Sequence, residues 1–486
     1  MQNMTGGFQL TKKKLIVLVS CIGMLLILAP VLSSCTGGGT TTPTATTPTP
    51  TTTATSIVEK ELTYNFLNPK GTPASGTAPQ RIAFTGTLLA AQTFFEATTN
   101  VASLGNAPIA QWTDGLPIAV PTEQKVKEML TGTSHKSTEK MAAYSKDSSG
   151  KWVKSSTSAS FAPSGWQATV EQVAINAVMA GCKPEYLPAV LAMASVGLNY
   201  KAGTSPTGYV QIVAGPYSKE VGFNAGQGAM NPGNPPSMTI GRAYELMLVN
   251  LGGAIAGSTN TNLGNAFNRA NLCYAEDTEA LPTGWIGMNL DVGFASTESA
   301  IMLCQAGTSL MSTFAPSSFR ATNSGAGGIA EKLGVVGKPG FYNIIEYLMQ
   351  WSLMTDLGPN SVPGAYAGAI GPQGPLTFTM HPDVALSLKD FGFNSKMSFY
   401  NWVYDRTVMN LSDFKKNGWY NVLTNNGAAI EPTSGKAYNT LADTYKIHIY
   451  GAAKDQLAIV SCSPGDETIQ TFSGGRGIPI CIDNWK

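Results

Sequence analysis

The first fifty-six residues decide which part of this chain can fold. Lys12, Lys13 and Lys14 form a basic segment, and Leu15 to Leu32 is an apolar run ending in Leu32-Ser33-Ser34-Cys35. A basic start, an apolar stretch and small residues at its end have the form of a secretory signal. A Cys directly after Leu-Ser-Ser has the form of a bacterial lipobox, which adds diacylation of Cys35. The expected mature protein is therefore anchored by lipid on the extracytoplasmic face of the cell membrane, with the bilayer as its first partner. An uncleaved anchor is the alternative, since the run approaches the ~20 residues that span a bilayer. Either way the remainder is exported.

Thr36 to Ser56 (TGGGTTTPTATTPTPTTTATS) carries no charge and almost nothing apolar to bury. Such a composition cannot offset its own ordering entropy, so a disordered spacer is expected. At roughly 3 Å per residue it can hold a domain several nanometres from the lipid. The expected layout is thus a signal over 1–34, lipidated Cys and linker over 35–56, an N-terminal arm over 57–109, and a globular domain over 110–486, either undivided or in two subdomains.

Charged residues make up 13% of the chain, against roughly 25% in an ordinary soluble domain. Its 52 glycines and 29 prolines imply many tight turns. With 31 Lys+Arg, three of them in the signal, against 30 Asp+Glu, the mature chain sits at about −2. No basic cluster follows the signal, which argues against nucleic acid as a partner. Five cysteines follow Cys35: Cys182, Cys273, Cys304, Cys462 and Cys481. No CxxC or HExxH spacing occurs, so no metal site or dithiol motif is expected.

Periodicity predicts a helix over Thr87–Phe95 and another capped by Thr122. Thr169–Ala180 places Val170, Val173, Ala174, Ala177 and Val178 at helical spacing, and Gly181 stops that helix. Pro184 opens the next one. Tyr209–Ala214 reads as a buried strand. A loop from Gly222 to Pro236 leads to a helix with Thr239 as its cap. Further helices are expected over Phe341–Met354 and Ser398–Val408, with strands over Leu376–Met380, Tyr445–Tyr450 and Leu457–Cys462. Ser145–Ser164 reads as a surface insertion. No internal repeat is apparent. Helices alternating with strands predict an α/β fold, a mixed sheet with packed helices.

Four places can carry chemistry. The glycine-rich loop with Asn224, Gly226, Gly228 and Asn231, followed by Thr239 and Arg242 on the helix, offers backbone amides and a cation to a small polar or anionic ligand; a plain connector is the alternative. Cys182, just before Pro184, sits where a helix N-terminus favours a thiolate; a packed corner cysteine is the alternative. Glu276, Asp277 and Glu279 offer a general base, or a solvated acidic loop. The tail from Cys462 to Arg476 lies at a strand end, where α/β sites collect, and Gly474-Gly475-Arg476 is an anion nest or a turn.

The runs "WTDGLPIAVPTEQKVKEML", "AINAVMAGCKPEYLP", "YVQIVAGPYSKEVGFNAGQGAMNPG", "TIGRAYELMLVNLGGA", "LCYAEDTEALP" and "FGFNSKMSFYNWVYDRT" resemble a bacterial family associated with UGSC-type (seleno)proteins, over about Ala110–Lys486. The UGSC motif itself is absent. Asn234-Pro235-Pro236 stands where that family carries Trp-Arg, and Cys462–Glu467 replaces a plain glycine-rich turn. The resemblance implies an enzyme domain with a thiol link, and names no reaction or cofactor. Two functions follow. One is an enzyme using Cys182 or the Glu276/Glu279 pair on a small anionic substrate held at the Gly222–Arg242 segment. The other is a lipid-tethered receptor or scaffold that binds at the same loop without catalysis.

Overall fold

The computed structural model describes residues 62–66, 71, 82–148, 152–197, 208–261, 273–306, 318–320, 375–416, 420–461, 468–473 and 475–486. The signal, Cys35, the linker, Cys462 and the helix expected over Phe341–Met354 lie outside them. The chain divides into a unit over Met1–Val58 and a unit over Glu59–Lys486; all that follows concerns the second.

The fold is α/β, built on two four-stranded mixed sheets. Their strands in chain order are β1 (Gly208–Ala214), β2 (Cys273–Ala275), β3 (Ala300–Ala306), β4 (Ser318–Arg320), β5 (Leu376–Met380), β6 (Leu457–Val460), β7 (Thr468–Ser473) and β8 (Ile478–Cys481). One sheet runs β8-β3-β1-β2, with β1 and β2 parallel and the other pairs antiparallel. The other runs β4-β7-β5-β6, with β5 and β6 parallel and the rest antiparallel. The five helices that cover them are α1 (Val170–Ala180), α2 (Leu187–Ser195), α3 (Pro235–Asn250), α4 (Pro382–Asp390) and α5 (Lys396–Arg406).

The period-2 alternation of a strand decides what each residue meets. On β1, Val213 faces the core shared with α1, α2 and α3, whereas Val210, Ile212 and Ala214 join Tyr274, Met302, Leu457 and Ile459 between the sheets. On β6, Ala458 and Val460 turn instead to the core under α4 and α5. Two sheets thus pack face to face with helices outside. On β2, β5, β6 and most of β1 both faces are buried, and near-continuous apolar runs such as YVQIVA follow from that. Tyr274 on β2 and Thr379 on β5 hydrogen-bond across the junction, which satisfies the phenol inside an apolar layer.

Local signals placed the helices. Thr169 caps α1 through a capping box with Gln172, and Gly181 closes it in the left-handed region at φ 84°. Thr87 caps Leu88–Phe95, and Thr122 caps Glu123–Met129. Ala91 and Phe95, in the segment expected to be an arm, are fully buried in the main core. Two expectations are corrected. Residues 145–164 are not a plain insertion: Ala142–Lys146 and Trp152–Ser158 pair as a hairpin, and Phe161 is buried. The helix after the glycine-rich loop begins at Pro235, with Asn234 at the cap position, because Pro is preorganised for the first turn. Thr239 lies inside it and donates to the Pro235 carbonyl.

Candidate functional site

In a mixed α/β sheet the carboxyl ends of parallel strands are where ligands collect. Here the ends of β2 and β6 meet. The Glu276 N–H donates to the Val213 carbonyl, and the Asp277 N–H crosses to the Val460 carbonyl of the other sheet. Glu276 is 0% exposed and Lys396, at the start of α5, is 2% exposed; they form an ion pair at 2.5 Å. The same carboxylate accepts from the Met288 N–H at 2.5 Å and the Val460 N–H at 3.4 Å. Beside it, the buried Ser461 hydroxyl donates to the Ala275 carbonyl at 3.1 Å and to the Ala225 carbonyl at 3.4 Å. The cation and the two amides take three of the roughly four acceptor positions of this carboxylate, and its side chain is closed to solvent, so the group is committed to holding elements together. Glu276 is therefore a junction rather than a general base. Glu279, its expected companion, is exposed and paired with Lys219, so the structure separates the two.

The Gly222–Pro236 loop is tied by its own amides. The Asn234 side chain accepts from the Asn224 N–H at 3.1 Å, and donates to the Asn224 carbonyl at 2.9 Å and the Ala229 carbonyl at 3.0 Å. Asn224 in turn donates to the Gln227 carbonyl and accepts from the Gly226 N–H. Gly228 holds φ 79°, a conformation costly for any residue with a Cβ. Asn224 and Asn231 remain exposed on this frame.

Arg242 does not face that loop as a free cation. Its guanidinium pairs with Asp114 at 2.8 and 2.9 Å and donates to the Leu116 and Pro117 carbonyls. It fastens α3 to the Trp112–Pro117 turn, and the expected anion-holding role is corrected accordingly. In the tail, Arg476 pairs with Asp291 and donates to the carbonyls of Gln456 and Asp291. It ties the segment before β8 to Gln456, just ahead of β6, and to the short helix Met288–Asp291; Gly474 lies outside the described residues.

Cys182 follows the helix-closing Gly181, and the structure does bring it to Thr239 and Arg242. Cys182 is half-buried and packs against the main apolar core. Burial pushes the thiol up to about 12, against a smaller downward pull from Thr239 and Arg242. The expected thiolate at a helix N-terminus is corrected: enclosure outweighs the dipole, and the residue that follows opens a single 3₁₀ turn, Pro184–Tyr186, before α2. Burial raises Cys273 and Cys304 as well, Cys304 to about 12, and raises Cys481 less.

Among the described residues no group of His, Cys, Asp and Glu could hold a metal ion, and no helix is long and apolar enough to cross a membrane. Lys396 and Ser461 are the two members of the strand-end junction that sequence reasoning missed. A lone Lys at the start of a helix and a Ser after an apolar strand carry no local signal of burial.

The raised thiols make alkaline stability a test of this packing. A native state that keeps a proton the unfolded chain releases near 9.0 loses stability as pH climbs from that value toward about 12, and is unaffected below it. The urea midpoint is expected to hold between pH 7 and 8.5 and to fall by pH 10.5, with a smaller fall in Cys182→Ser. An equal fall in parent and variant would mean that Cys182 is not enclosed.

No family model, no curated protein and no solved structure matches this chain.

Proposed function

We propose that this chain is a lipid-anchored extracytoplasmic protein whose α/β body binds a small polar ligand without thiol chemistry. What supports binding over thiol chemistry is that, of the described cysteines, Cys273, Cys304 and Cys481 are buried and Cys182 is half-buried, and burial raises their thiols where a nucleophile needs a lowered one. Binding is also favoured by the carboxylates, since Glu276 is engaged by Lys396 and Glu279 turns outward to Lys219 instead of joining it. The binding element of this reading is the Gly222–Pro236 loop, rigid through Asn234 and presenting Asn224 and Asn231 to solvent. Its ligand is recognised by amide hydrogen bonds rather than by a free cation, since Arg242 is spent on Asp114. The likeness to UGSC-type proteins belongs to this proposal as kinship of scaffold, without the redox motif.

The anchor is tested by metabolic labelling with a fatty acid. The parent is expected to take up label, and Cys35→Ala to remain an unlabelled precursor; label on the variant or none on the parent would refute the anchor.

The binding role is tested by native mass spectrometry of protein purified without denaturation. The parent is expected to carry a small-molecule adduct that Gly228→Val loses while remaining folded. Arg242→Ala should keep the adduct but lose about 1.5–3 kcal/mol of stability, the scale of a charged hydrogen bond. An adduct lost with Arg242→Ala and kept with Gly228→Val would move the site to the guanidinium.

A further inference from the structure

The two sheets share more than a strand count, and their registers coincide position by position. In the first, Val213 on β1 lies opposite Ala275 on β2 and Ile301 on β3, and Ile301 lies opposite Ile480 on β8. In the second, Met380 on β5 lies opposite Val460 on β6 and Ile469 on β7, and Ile469 lies opposite Phe319 on β4. The senses match pair by pair: one parallel, then two antiparallel. The ladder extends one step beyond the parallel strand in both, by the Glu276 N–H to the Val213 carbonyl at 2.8 Å and the Ser461 N–H to the Met380 carbonyl at 3.0 Å.

The connections repeat as well. After β1 a short helix, Tyr217–Glu220, ends in Gly222-Phe223-Asn224; after β5, α4 ends in Gly392-Phe393-Asn394. Both glycines sit at positive φ, 76° and 104°. In both, the Gly N–H reaches back three residues, to Lys219 and Lys389, and the Phe N–H reaches back five, to Ser218 and Leu388. That is one helix-ending motif used twice, with the apolar residue buried each time. A covering helix follows, α3 in one case and α5 in the other. The residues just past each Asn then meet the strand end of the opposite sheet: Lys396 meets Glu276, and Ala225 meets Ser461.

The fourth strand of each sheet comes from the other half. β4 follows β3 in the chain yet pairs with β7, and β8 follows β7 yet pairs with β3. A chain that merely happened to form two sheets has no reason to cross both of these strands over. Two copies of one unit that exchange their last strands must do so, as in a swapped dimer.

We infer that the body from β1 to the C-terminus is a fused dimer. One β-helix-helix-β-β-β unit is present twice, about a pseudo-twofold axis, and each copy fits the other as its partner by lending it a sheet edge. The exchange also covers what would be an open edge on β3 and on β7, a hazard for any exported sheet protein.

The test uses the full chain with a specific protease site inserted within residues 321–374 and two separate cysteine pairs, Ile301→Cys with Ile480→Cys and Phe319→Cys with Ile469→Cys. After cleavage the parent is expected to elute as one species of undiminished size. Each oxidised pair is expected to hold the two fragments in a single band on a denaturing, non-reducing gel, and to release them on reduction. Fragments that part under native conditions, or a folded pair that leaves two bands, would overturn the exchange. Should one pair fail to fold, the other pair and the parent's elution still decide it.

Discussion

A carboxylate taken wholly out of water must find its compensation inside the protein, and Glu276 draws that compensation from both halves of the body. Its cation, Lys396, opens the helix over the second sheet, and one of its amides, Val460, ends that sheet's parallel strand. The carboxylate itself ends the parallel strand of the first sheet. Desolvating two charges costs several kcal/mol each, so such a pair is retained where it fixes an arrangement rather than where it adds stability. Here it fixes how the two sheets meet. Slide one sheet along the other and an unpaired charge is left in an apolar layer.

The same economy explains why the ionisable groups that looked chemical turn out to be structural. Charge is scarce in this chain, and most of what is buried or half-buried is used to join elements: Arg242 to Asp114, Arg476 to Asp291, Lys396 to Glu276. Among the described residues, Cys182 and Cys273 pack into the main apolar core, and burial raises their thiols. Asn224 and Asn231 face water on a loop held by the Asn234 side chain. That exposed amide frame is what the proposed binding role rests on.

Much of the fold was legible because local rules and tertiary packing agree. Thr169, Gly181 and the spacing of Val170, Val173 and Ala177 fix α1, and the β-branched run before Gly215-Pro216 fixes β1. The start of α3 at Pro235 rather than Thr239 follows from Asn234, a preferred cap residue, and the proline after it, a pair hidden in a stretch whose Gly, Asn and Pro content reads as loop. The candidate site was legible only as a set of residue types. Arg242 near a glycine-rich loop is a fair anion site until Asp114, far away in sequence, claims it. Cys182 before a proline reads as activated until packing encloses its thiol. The inferred repeat lies in strand register and backbone capping rather than in side-chain identity. Its two copies share little more than Gly-Phe-Asn, the one place where a positive φ and a buried ring constrain side-chain identity.

The most direct test of the Glu276–Lys396 junction is a double-mutant cycle read by equilibrium urea denaturation. Lys396→Met is expected to cost about 3–5 kcal/mol, because it strands a buried carboxylate. Adding Glu276→Gln, which removes the stranded charge and keeps one carbonyl oxygen to accept from the Met288 amide, should return a large part of that loss. Single effects that simply add, within about 0.5 kcal/mol, would show the two groups to be independent. That result would contradict the claim that this pair sets the meeting of the two sheets.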